Sequence, residues 1–168
     1  MNEGDLMITH HGSGNLVFDC RLTQHRKSIG VTKAGSGTVH LNAANTYTGA
    51  TVIQSGGLVL GPAGSLAGTQ LGFGVTDTGS GWLGIENPAF SFSGTLDLAI
   101  ASVQADGTTW QLFKGSAFHA NMINPTAITS DMEGLVFTKK GTEWEASDGN
   151  NIWRFNSSTG ELSVMITP

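Results

Sequence analysis

An all-β fold, a parallel β-helix closed at its C-terminal end by an antiparallel β meander, is what this 168-residue sequence predicts, and three observations carry the prediction. The first is a unit of Gly-Ser-Gly followed by alternating apolar residues, present at Gly12–Phe18 and again 23 residues later at Gly35–Leu41. Shorter forms at Gly56–Leu60, Gly79–Ile85 and Ser93–Leu98 keep the spacing near that of the first pair or below it. A glycine turn followed by a period-2 strand, repeated, is how a β-solenoid reads. The second is composition: 24 Gly against 4 Pro, 12% charged residues, and 39% apolar residues in strand-length runs. Such a chain folds, and its surface is built from Thr, Ser, Asn and Gly rather than Lys and Glu. The third is a change of pattern after Val103, where strands are separated by hairpin-length gaps. A jelly roll or β-sandwich also uses many short strands with Gly-rich turns. The near-regular spacing favours the solenoid.

In chain order, short strands are expected at 6–9, 16–20, 28–32, 38–42, 51–54, 58–60, 70–74, 82–85, 91–92 and 95–99, each bounded by Gly, Ser, Asn or Asp. Pro62 could open a single helical turn. Beyond Val103, strands are expected at 108–113 and 135–138, with a short helix over 116–123 ended by Pro125. The meander then runs through 143–146, 152–155 and 161–166. It would suit a cap, because an open solenoid end exposes unpaired edges and apolar interior. The chain is thus read as one domain, 1–168, with coils over 5–100 and terminal coils plus cap over 101–168. Leu16, Val39, Leu58, Leu83 and Leu96 are expected to stack in one interior column.

The residues Thr32-Lys33-Ala34-Gly35-Ser36-Gly37-Thr38, Leu41, Ala44-Asn45-Thr46-Tyr47-Thr48-Gly49-Ala50-Thr51 and Gly56-Gly57-Leu58-Val59-Leu60-Gly61 resemble the autotransporter-associated β-strand repeat of bacterial secreted and surface proteins. The resemblance implies a right-handed parallel β-helix in a secreted or cell-surface, non-catalytic segment. Several repeat proteins of this kind end in an antiparallel, Trp-containing segment, and Thr142–Ile166 looks similar. Tyr47 follows the repeat motif and is expected to pack at a turn.

A net charge of −5 with only 8 Lys and Arg removes the basic footprint that phosphate backbones require, so nucleic acid is not expected as a partner. Leu6-Met7-Ile8 is too short for a signal core and no run reaches membrane-spanning length, so no membrane insertion is expected. Met1 is read as an addition to a piece excised from a longer secreted protein, whose neighbouring domains would be covalently linked partners. Cys20 stands alone and reads as a small hydrophobe in a strand pattern.

Enzymes on β-helices need clustered carboxylates, and here Asp5, Asp19, Asp77, Glu86, Asp97, Asp106, Asp131 and Glu133 share no repeated offset. Glu143 and Glu145 share a face but read as solvated surface acids. A polysaccharide lyase or hydrolase therefore falls behind, and no catalytic residue, cofactor or metal site is expected. His10 and His11 point to opposite faces, and Asp148-Gly149-Asn150-Asn151 reads as a tight turn before it reads as a calcium loop. The tryptophans are the candidate ligand-binding residues, since sugar rings pack their C–H faces on flat aromatics while polar neighbours bond the hydroxyls. Register puts Leu83 and Ile85 inward and Trp82 outward. Trp110 shares a face with Leu112 and reads as core, whereas one of Trp144 and Trp153 is expected to be exposed. The function expected is a non-catalytic carbohydrate-binding module that holds a β-linked polysaccharide such as xylan or β-glucan on Trp82, Trp144 and Trp153. The alternative is a structural stalk or adhesin repeat.

Overall fold

A computed structural model describes residues 5–25, 27–104 and 106–167; Met1 lies outside them. Each coil contributes one strand to each of two parallel sheets. In the first sheet β1 (Leu6–Thr9), β3 (Val31–Ala34), β5 (Thr51–Ile53), β7 (Gln70–Thr76), β10 (Thr95–Ala99) and β13 (Ala127–Ser130) follow one another, with β8 (Gly79–Ser80) folded back on β7. In the second, β2 (Asn15–Phe18), β4 (Thr38–Leu41), β6 (Gly57–Leu60), β9 (Trp82–Ile85) and β12 (Phe113–Lys114) do the same. Loops such as 42–50 close the coils, tied by isolated bridges at Ala44–Ser65 and Phe92–Ile123. The sandwich alternative is thereby set aside: its inner strands would pair antiparallel, and these pair parallel.

Alternation explains the interior. On the strands of the two parallel sheets residues two apart, most of them apolar, turn inward, and pairing in register stacks them from coil to coil. One column of the second sheet runs Leu16–Val39–Leu58–Leu83–Phe113. Leu96, expected in that column, instead stands in the first sheet between Leu71 and Ile128. Both sheets receive a strand after a glycine turn, so the repeated glycine marks two positions per coil rather than one. Coil length also varies, since the first sheet advances from Leu6 to Val31, Thr51, Leu71, Leu96 and Ile128. At the corners Gly35 (φ 83°) and Gly56 (φ 66°) take the left-handed conformation that glycine adopts without strain. A β-carbon on Gly56 would also lie 2.4 Å from the Gly35 carbonyl oxygen.

The antiparallel sheet is β11 (Thr109–Gln111), β17 (Glu161–Ile166), β16 (Asn151–Asn156), β15 (Glu143–Ser147) and β14 (Thr138–Lys140), in that spatial order. Its inner face carries Trp110, Leu162, Val164, Phe155, Trp153, Trp144 and Ala146, all buried and continuous with the solenoid interior. Phe113 joins the two parts, meeting Phe73 at 5.1 Å and Phe155 at 6.0 Å between ring centroids. The expected strand at 108–113 is split, because Leu112 gives its N–H to Gly160 while Phe113 moves into the parallel sheet.

Neither expected helical element forms. Residues 62–63 make a turn, and 116–123 are successive turns and bends with Asn121 at φ 78°. Backbone groups over 116–123 serve neighbouring coils instead: Ala117 N–H donates to Ile85, and Met122 C=O accepts from Phe92. Stacking has replaced local helical bonds. Residues 135–138, expected as a strand, bury Leu135 and Phe137 without pairing until Thr138.

The two solenoid ends differ. Among the described residues β1 and β2 each pair on one side, and the inward-facing Leu6 and Leu16 remain 38% exposed. The opposite end lies under the antiparallel sheet.

Candidate functional site

The coil from Leu71 to Leu96 is longer than the two before it because β7 runs past the core and turns back through Asp77-Thr78 into β8. This hairpin is held firmly at its tip. Trp110 Nε1–H donates to the Thr76 carbonyl at 2.9 Å, Gln104 N–H donates to Asp77 Oδ1 at 2.7 Å, and Thr76 Oγ1–H donates to the Gly79 carbonyl at 3.1 Å. Grooves flank it on both sides. One, of about 430 Å³, is lined by side chains of His11, Ser36, Gln54, Ser55, Thr76, Thr78 and Ser80. The other, of about 290 Å³, is bordered by Asp77, Trp82, Thr109 and Gln111.

Trp82 faces outward, and its ring lies flat along the sheet. A β-carbon on Gly57 would sit 2.2 Å from the indole, and one on Gly84 3.2 Å from it, so these two glycines leave the space that the ring fills. Val59 faces outward in the same sheet, yet is only 6% exposed. Lys114 Nζ stands 3.7 Å from the ring centroid, a cation–π distance. A sugar stacking there has to displace that lysine. Register fixed the direction of the side chain; it could not reveal that the indole would lean on Gly57 of the adjacent strand and Gly84 of its own.

Trp144 and Trp153 are corrected. They are 6% and 1% exposed, and Trp153 stacks on Trp110 with centroids 6.3 Å apart. Alternation shows which residues of a meander share a face, but not that the whole tryptophan face turns toward the solenoid.

The acids do not converge. Among the described residues no three His, Cys, Asp or Glu side chains gather as metal ligands. Glu145 is bridged by Lys140 at 2.6 Å and Arg154 at 3.0 Å, and the Lys140 hydrogen bond, followed by that of Arg154, holds its carboxyl below the usual range. Asp148 accepts from the Asn151 side chain at 2.9 Å and from the N–H groups of Asn150 and Asn151, which lower its pKa and satisfy its oxygens within the turn. Cys20 is exposed rather than buried, since β2 ends at Phe18 before it.

Structural chemistry is concentrated in the coil containing Lys33, Asn45 and Tyr47. Lys33 lies inward between Ile8 and Ile53, and its ammonium donates to the carbonyls of Ala34, Gly35 and Ser55 at 2.9, 2.7 and 3.1 Å. Burial lowers its pKa. Asn45 accepts from Leu22 N–H and donates to the Ser65 carbonyl, both at 2.9 Å, so one amide ties three coils. Tyr47 is fully buried against Thr51 Oγ1 at 2.8 Å, and burial pushes its pKa up to about 12.

The fold is thus a parallel solenoid with glycine corners, polar interior clamps and an antiparallel cap. Residues 31–60 match the family described as passenger-associated-transport-repeat, and the chain carries that autotransporter-associated repeat. Over 141 residues the chain is 33% identical to the adhesin BmaC autotransporter of Brucella suis biovar 1 (strain 1330). The alignment takes in 82% of this chain and 4% of that relative's length. Together these findings identify a secreted or cell-surface bacterial protein. No solved structure matches.

The residues missed by sequence reasoning are those of the hydroxyl-lined groove. Their signal was the surplus length between Gly72 and Gly81, with Asp77-Thr78-Gly79 as its turn.

Proposed function

We propose that the chain is a structural segment of an adhesin-type autotransporter passenger, a run of coils that carries neighbouring parts of a longer chain away from the cell and performs no chemistry itself. The observation that supports this most is the unequal pair of ends: Leu6 and Leu16 face inward yet are 38% exposed on strands paired on one side, whereas the other end is roofed by tryptophans. Apolar columns and free strand edges of this kind are completed by another coil. The test is to join a second copy of Val31–Ala50, one full coil, to Leu6 in place of the preceding residues. The added coil should pair with β1 and β2, raise the melting temperature and protect the Leu6 and Leu16 amides. An unpaired extension with unchanged stability contradicts the reading.

A second reading, carbohydrate binding at Trp82, draws support from the part-exposed indole beside Asp77, Thr109 and Gln111. Trp144 and Trp153 have no open face and drop out of it. Trp82→Ala should lower the melting temperature by only a few degrees, since a part-buried ring contributes about 1–2 kcal/mol. It should also abolish retardation in affinity gels of xylan, β-glucan or mannan. Equal mobility of wild type with and without every glycan excludes this reading and leaves the structural one standing.

A further inference from the structure

The groove on the other side of the hairpin has a chemistry that neither a stalk nor the Trp82 face requires. Its charged-group content is nil: apart from the imidazole of His11, the lining holds only hydroxyl, amide and glycine positions. Ser36, Gln54, Ser55, Thr78 and Ser80 line it, and none of their side chains hydrogen-bonds another described residue. No Leu, Ile, Val, Met, Phe or Trp side chain lines it, so an apolar ligand finds only methyl, methylene and backbone carbon there, and a charged polymer finds no carboxylate, lysine or arginine. What remains is a neutral ligand that offers many hydroxyl donors and acceptors at once.

We propose that this groove is a binding site for a neutral oligosaccharide. Its volume of about 430 Å³ falls within the ordinary range for small-ligand sites, roughly 300–1,000 Å³. The walls are rigid, because one is the stacked glycine corner of successive coils and the other is the hairpin pinned by Trp110 and Gln104. Preorganised walls reduce the ordering cost of binding, so several hydrogen bonds can register as affinity without an aromatic platform. The site is independent of the proposed structural role, since a stalk without it would still stack.

The test is amide-resolved NMR titration of the whole chain with cellohexaose, xylohexaose and mannohexaose, with hexagalacturonate as the charged comparison. At least one neutral sugar should shift the amides of Ser36, Ser55, Thr78 and Ser80. Gln54→Ala, which removes an exposed side chain, should weaken that binding at least tenfold with the melting temperature unchanged; Thr78→Arg, which fills the groove, should abolish it. Absence of shifts with all three neutral sugars overturns the proposal. So does equal response to hexagalacturonate, or a response confined to the Trp82 indole and insensitive to Gln54→Ala.

Discussion

Tyr47, Asn45 and Lys33 show how a polar residue can hold a solenoid together. Tyr47 is the chain's single tyrosine, so its ionisation can be followed by ultraviolet absorbance without overlap. Its folded-state pKa, about 12, lies above the ordinary value of 10.0. The proton is held more tightly in the folded chain, so the stabilisation is complete below pH 10 and is lost as pH rises through 12. The absorbance midpoint should therefore fall near 12, and a midpoint near 10 would mean an exposed ring. Lys33 has the opposite sign: its pKa is lowered, so stability from this group is present above the ordinary lysine value and declines as pH falls through the folded one. Asn45→Ala should orphan Leu22 N–H and the Ser65 carbonyl together, at about 1–3 kcal/mol each, and lower the melting temperature by several degrees. The sequence placed Tyr47 at a packed turn from its motif. It did not disclose that Lys33 would be interior: period 2 puts Lys33 on the face of Val31, but burying its ammonium depends on carbonyl partners, one of them a coil away at Ser55, that the sequence does not show.

At the scale of elements, the hairpin β7–β8 and the antiparallel sheet depend on the same tryptophan. Trp110→Phe keeps an aromatic ring in the core but removes the bond to the Thr76 carbonyl, at about 0.5–1.5 kcal/mol. Hydrogen exchange at Asp77–Ser80 should accelerate while β16 stays protected; uniform acceleration would show that the hairpin has no separate anchor. Trp153→Ala should be far more damaging, about 3–5 kcal/mol, because a fully buried indole leaves a cavity. Strand positions 6–9, 82–85, 95–99 and 161–166 were legible from alternation alone, and so was the order of the meander. Alternation is a local property. Which sheet of the coil a strand joins is not, and Leu96 fell in the wrong column because both sheets are entered from glycine turns. The helical pattern at 116–123 failed for a related reason, as neighbouring coils had already claimed its backbone groups.

Across the whole molecule, stability should follow the stacking. Inner coils are paired on both sides, the first coil on one, and the last is covered by the antiparallel sheet, so contacts are distributed nearly one-dimensionally. Repetition made this architecture legible in the sequence, whereas the polar groove was hidden because it arises from an insertion that interrupts the repeat. Residue-resolved hydrogen exchange of the intact chain tests the central claim, a solenoid open at one end and closed at the other, most directly. Protection should be lowest in β1 and β2, rise through β3 and β4 to a maximum across β5–β10, and remain high in β16 and β17. Protection of β1 and β2 equal to that of β6, or loss of β16 and β17 before β1, would contradict it.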